Sequence, residues 1–181
     1  MNTNPWVVIL TCIMGAVASF SYQAVDAHDG GFGHSRRTVF FDATADEFIL
    51  EYRLTRSSDE TLLEMTLIDD DGDGQISSSE QESYFGALGI ELADQFDVKT
   101  AAGERERPRL LEFRLQPNLV QSFRYTIETS ATEIRFVDRN FPHKPGVVKI
   151  ISGSGAKAEL AEPTDLNHAE QVSLKIVRVA K

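Results

Sequence analysis

At 181 residues, the chain has room for one domain with a substantial core. Its composition, 41% hydrophobic and 25% charged without low-complexity runs, is that of a globular protein. A net charge of -10 argues against nucleic acid as a partner, and the basic run "ERERPR" (104–109) is interleaved with acids, as in a solvated hairpin.

Residues 6–20, "WVVILTCIMGAVASF", are apolar and uncharged. A membrane-spanning helix needs about 20 such residues, so the run is short for a span. It is expected to be the hydrophobic region of a secretory signal peptide, leaving no membrane span in the mature chain. Two cleavage sites fit. "AVA" (16–18) is the better local match, whereas "VDA" (25–27) leaves a longer polar region. The second is preferred, which makes 1–27 the signal peptide and His28 the new N-terminus. Because no Lys or Arg precedes Trp6, an uncleaved anchor is the alternative. The only cysteine, Cys12, lies in this run, so the exported chain would use no disulfide, although the periplasm, cell envelope or extracellular space would permit one. "ILTC" lacks the small residue expected before a lipid-modified cysteine.

Residues 28–181 are expected to form a single, mainly β domain. "TVFFDA" (38–43) and "FILEYRLT" (48–55) read as strands joined by a turn, with Phe48, Leu50, Tyr52 and Leu54 on one face and Glu51 and Arg53 on the other. The texture then changes. Ser57 stands three residues before Glu60, a capping-box pattern, and Leu62, Met65 and Ile68 follow at helical spacing. A second capping pattern, Ser77 and Glu80, precedes a helical stripe of Tyr84, Phe85, Leu88, Leu92 and Phe96. Gly86 and Gly89 weaken this second helix by roughly 1 kcal/mol each relative to Ala. From Phe96 the period returns to two, with strands expected at 96–100, 109–116, 121–129, 133–138, 146–152, 156–161 and 171–179. Strands this short, separated by turn signals, suggest an antiparallel β-sandwich, with the helix pair at 57–95 inserted after the second strand.

Between the helices lies "DDDGDGQISSSE", Asp69 to Glu80. It satisfies every constrained position of the calcium-loop template D-x-[DN]-x-[DN]-G followed by five residues and Glu. Asp69, Asp71 and Asp73 occupy positions 1, 3 and 5, and Gly74 occupies position 6. Gln75 would contribute its backbone carbonyl, Ser77 a ligand water or a helix cap, and Glu80 two carboxylate oxygens. The chemistry explains the pattern. Calcium takes six to eight oxygens at about 2.3–2.6 Å, and alternate side chains of a coiled loop point at one centre. Gly74 permits the sharp turn that follows, and Ile76 would pack inward. No second loop accompanies the first, because "DRNFPHKPG" (138–146) lacks carboxylates and "DLNHAE" (165–170) lacks the glycine and distal glutamate. A lone loop implies a structural or modest-affinity site, with a Kd around 0.1–1 mM.

Four histidines remain. With cleavage after Ala27, the amine and imidazole of His28 could chelate a transition metal beside His34 or Asp29. The plainer reading is a solvated terminus, with His143 and His168 as surface loop residues. No nucleophile elbow, H-E-x-x-H, phosphate loop or cysteine nucleophile is present, so the expectation is a protein that is not an enzyme. "SGSG" (152–155) reads as a turn.

Residues 57–95 resemble the EF-hand family. Over residues 28–152 the order of features is a mature start with His, a strand pair ending "FILEYRL", one calcium-type loop, further strands and "VDRNFPHKPGVVKI". That order is similar to the extracytoplasmic domain of bacterial nickel/cobalt exporter-type permeases. Residues 28–181 contain no membrane-spanning run and no histidine-rich tract, so this resemblance does not imply transport by the chain itself. It implies an exported, stand-alone relative beside a membrane metal transporter, a periplasmic accessory protein. The residues themselves favour an exported calcium-binding module.

Overall fold

The computed structural model describes residues 36–115, 120–140 and 146–179. All belong to the second of the two units into which the chain divides, Gly31–Lys181. The run expected to be a signal peptide, Cys12, both expected cleavage sites, His28, His34 and His143 lie outside the described residues.

The body is mainly β. In chain order come β1 (Arg36–Ala43), β2 (Glu47–Thr55), α1 (Ser58–Ile68), α2 (Ser78–Asp94), β3 (Phe96–Thr100), β4 (Arg105–Glu106), β5 (Arg109–Leu115), β6 (Val120–Glu128), β7 (Glu133–Asp138), β8 (Val148–Ser152), β9 (Ala156–Leu160) and β10 (Val172–Arg178). They form two five-stranded sheets, ordered β5-β6-β2-β1-β8 and β4-β3-β7-β10-β9. Every named pairing is antiparallel except β1 with β8, which is parallel and brings Val39 opposite Ile150. The expectation of a wholly antiparallel body is corrected at that edge.

Period-two patterning produces the core. The alternation along β2 buries Phe48, Leu50, Tyr52 and Leu54. In register beside the first three stand Ile127, Tyr125 and Phe123 of β6. The second sheet contributes Phe96, Val98, Ile134, Phe136, Leu174 and Ile176 to the same core. Edge-to-face ring contacts join the sheets: Phe41 to Phe136 at 5.1 Å and Phe96 to Tyr125 at 5.5 Å. Such pairs add roughly 0.5–1.5 kcal/mol beyond the area they bury.

One fully buried polar network also spans the sheets. Arg37 on β1 is 1% exposed and donates through Nη1 to Asp138 Oδ2 of β7 at 2.9 Å and to the carbonyl of Asn140 at 3.0 Å. Its Nη2 donates to the Ala169 carbonyl. Tyr52 donates to the same carboxylate oxygen at 3.0 Å, and Asn140 donates to Asp138 Oδ1 from both its backbone and its side chain. Burial, reinforced by the Asp138 charge, pushes the Tyr52 hydroxyl well above its ordinary pKa. A buried charge is tolerated only when it is paired and its remaining hydrogen-bonding capacity is filled.

The helix pair follows β2, where the change of period places it. α2 rests on the β5–β6 end of the first sheet, with the Phe85 ring 5.9 Å from Phe113 and 6.4 Å from Phe123. Gly89 faces β5 and β6 so closely that a Cβ there would lie 2.8 Å from Leu110 Cδ2 and 3.1 Å from Phe123 Cδ1. Tyr125 donates to the Gly89 carbonyl at 2.8 Å. The glycine that weakens the helix in isolation thus permits its docking. α1 departs from its expected stripe: Leu62 and Met65 are exposed, and its buried residues are Glu64 and Ile68. Among the described residues, no helix is long and apolar enough to cross a membrane.

Candidate metal centre

Both helix starts carry the capping box read from the sequence. Ser57 and Glu60 bond reciprocally at α1, and Ser77 and Glu80 do so at α2. Each box satisfies two otherwise orphaned backbone N–H groups. They fix the two ends between which the acidic loop is strung.

Within that loop the backbone coils around its own carboxylates. Asp73 N donates to Asp71 Oδ1 at 3.1 Å, Gln75 N to Asp73 Oδ1 at 2.7 Å, and Gly74 N to Asp69 Oδ2 at 2.9 Å. The first two are turns in which an Asp accepts from the backbone two residues on. Gly74, at φ 80°, and Gly72, at φ 71°, supply the left-handed conformations the coil requires. The result brings ligand-type oxygens of Asp69, Asp71 and Asp73 within 4.8 Å of one another. Asp71 and Asp73 are exposed and Asp69 is half-buried. Asp69 Oδ1 is buried and has no hydrogen-bond partner. An orphaned carboxylate oxygen beside two further carboxylates is an arrangement a cation would satisfy.

Glu80 reaches back across the loop from the first turn of α2. Its Oε1 accepts from Asp70 N at 2.8 Å and more weakly from Asp71 N at 3.4 Å, and its Oε2 accepts from Ser77 N at 2.8 Å. These bonds, those to Ser77 foremost, hold its carboxyl down to a pKa of about 2. Glu80 lies outside the three-aspartate group. Of the two roles open to Ser77, the hydroxyl takes the cap, accepting from Glu80 N at 3.2 Å and meeting Ser79 Oγ at 3.0 Å. Gln75 is exposed. Ile76 packs against the core, fastening the loop to the body.

A second polar cluster carries no signal in the sequence. Glu64, on the inner face of α1, is 3.2 Å from Arg56 Nη2 and accepts from the Tyr84 hydroxyl at 3.0 Å. Gln121 Nε2 of β6 donates to its other oxygen. Burial, with the Glu64 charge second, pushes the Tyr84 hydroxyl up to about 12. A glutamate between Leu63 and Met65 reads as solvent-facing, and its partners stand up to 57 positions away.

Several ionisable groups elsewhere pair with one another. A basin of about 360 Å³ on the outer face of the first sheet is lined in part by Arg114, Arg124 and Glu112. Both arginines pair with that glutamate, at 2.9 and 3.4 Å. His168, the one histidine among the described residues, is exposed, with Nδ1 3.2 Å from Asp165 Oδ2. Asn167 N donates to Asp165 Oδ1 at 2.9 Å, making "DLNH" a closed turn. No family model matches the chain, and no curated protein matches it.

Proposed function

We infer that the chain is an exported, non-enzymatic calcium-binding protein, in which one EF-hand-like loop fastens an inserted helix pair to a β-sandwich. The observation that carries this reading is the gathering of Asp69, Asp71 and Asp73 within 4.8 Å, with Asp69 Oδ1 buried and unpartnered. The donor set is all oxygen and carries several negative charges, which suits a hard divalent cation. Its carboxylates are numerous, which favours calcium over the smaller, strictly octahedral magnesium. Asp69, Asp71, Asp73 and Glu80 would hold the ion with their carboxylates and Gln75 with its carbonyl, while the Ser77 hydroxyl caps α2. The ion supplies positive charge that offsets their mutual repulsion. The chain's own part is to hold both helix ends through the two capping boxes, so that ordering the loop orders the angle between α1 and α2.

The transition-metal accessory reading rests on His28 and His34, which lie outside the described residues, and no observed geometry favours it. The test of the calcium reading is thermal melting of the mature protein with chelator and with about 1 mM calcium. At a Kd of about 0.1 mM the stabilisation is about 1.4 kcal/mol, a rise of roughly 3–6 °C for a domain of this size. Glu80→Gln removes a carboxylate charge and should abolish most of that rise. An equal response in both proteins would mean that the loop is not the site.

A further inference from the structure

The acidity of the chain is concentrated in one segment. Residues 57–95 contain eleven Asp and Glu and no Lys or Arg, whereas the remaining residues contain seventeen acids and eighteen bases. The same segment presents large apolar side chains to solvent. On α1, Leu62 and Leu63 are each 65% exposed, Leu67 is 60% exposed and Met65 is 45% exposed. A helix packed on a globular body ordinarily turns such residues inward, and an apolar face left in water marks an interaction surface. Leu62 and Met65, three residues apart, are neighbours on that helix surface. Met65 and the exposed Leu115 of β5 both border a cavity of about 100 Å³ between the helices and the β5–β6 end of the first sheet. Gln121 lines this cavity. It is 3% exposed, its Nε2 is spent on Glu64, and its Oε1 is buried without a hydrogen-bond partner. An unmatched buried acceptor is costly and is relieved when a donor reaches it.

We propose that the exposed face of α1, with this cavity at its edge, is a docking surface for a basic amphipathic segment of another protein. Apolar side chains of the segment cover Leu62, Met65 and Leu115. One side chain with an apolar stem and an N–H or O–H tip enters the cavity and donates to Gln121 Oε1. Flanking Lys and Arg face the acidic segment, which steers the encounter and discriminates against acidic partners. Charge decides between occupants. A second copy would bring eleven acids against eleven, and an anionic lipid surface is repelled in the same way. The loop aspartates are not part of this surface, so the inference stands apart from the calcium reading.

The experiment is fluorescence anisotropy with a labelled helical peptide of Lys and Leu carrying one Trp, in chelator and low salt. The parent chain should bind it, and an analogue with Glu in place of Lys should not bind. Leu62→Ser with Met65→Ser keeps every charge and alters only exposed positions. It should weaken binding about tenfold or more, as expected for apolar anchors at the centre of an interface. Leu115→Ser, on a separate element, should weaken it independently, which guards against local unfolding of α1. Undiminished binding in both variants would show that charge alone attracts the peptide and would overturn the proposal. Equal binding of the Glu analogue would do the same. So would capture by phosphatidylcholine or phosphatidylserine vesicles in place of the peptide, or dimers in light scattering that the double variant loses.

Discussion

Two glycines on one helix should respond unequally to the same substitution. Gly86 and Gly89 both lie inside α2, and Ala at either position gains roughly 1 kcal/mol of helix propensity. Around Gly86 nothing lies within 4 Å of an added Cβ, so Gly86→Ala should realise most of that gain. At Gly89 the added carbon would stand 2.8 Å from Leu110 Cδ2, 3.1 Å from Leu110 Cδ1 and 3.1 Å from Phe123 Cδ1. Phe123 is fully buried and cannot move aside, and Leu110 is half-buried. Overpacking of this kind costs roughly 1–3 kcal/mol, so it cancels or outweighs the propensity gain. It also pushes the Gly89 carbonyl away from the Tyr125 hydroxyl that bonds it at 2.8 Å. The expected difference between the two variants is therefore roughly 1–3 kcal/mol in favour of Gly86→Ala. For a domain of this size that separates their melting temperatures by roughly 2–12 °C. Urea unfolding of both variants and the parent measures it. Equal stabilisation by both substitutions would refute the docking of α2 on β5 and β6, and with it the position assigned to the acidic loop.

Further outcomes follow from the polar clusters. Arg37→Ala leaves the buried Asp138 carboxylate uncompensated and should cost roughly 3–5 kcal/mol, read as a lower urea midpoint; a surface-like loss below 1 kcal/mol would contradict the network. Glu80 has a folded pKa of about 2 against an ordinary 4.5, so its contribution is fully present above about pH 4.5 and is lost as pH falls through about 2. A carboxyl NMR titration without calcium should find that depressed midpoint in the parent and a higher one in Ser77→Ala. Glu64→Ala removes the contact that ties α1 to Tyr84 and Gln121. Amide exchange should then accelerate across Ser58–Ile68 while β2 and β6 keep their protection.

The local parts of this architecture were legible in the sequence. Period-two alternation marked β2, and expected boundaries fall on those of β3 and β7, because a half-buried strand writes its face into every second residue. The capping boxes at Ser57 and Ser77 were equally readable, since each is closed within four residues. So was the spacing that brings the three aspartates together. What escaped depends on partners far along the chain. β4 is two residues long and exists through its pairing with β3. The parallel pairing of β1 with β8 joins positions more than a hundred residues apart. Of the stripe Leu62, Met65 and Ile68 expected on α1 only Ile68 is buried, and Glu64 is buried beside it, because Arg56, Tyr84 and Gln121 converge on that carboxylate. Helical spacing identifies neighbouring side chains but not which arc of the helix meets the body. Gly89 looked like a weak point until the distance to Leu110 gave it a purpose.

The most direct test of the central claim is a calcium titration of isotope-labelled residues 28–181 followed by amide NMR. The account predicts saturation at one ion per chain, with a Kd around 0.1–1 mM. The largest shifts should fall within Asp69–Glu80, magnesium should produce much smaller changes, and Asp69→Ala should lose the response. Shifts centred away from that loop, or a response unchanged in Asp69→Ala, would contradict it.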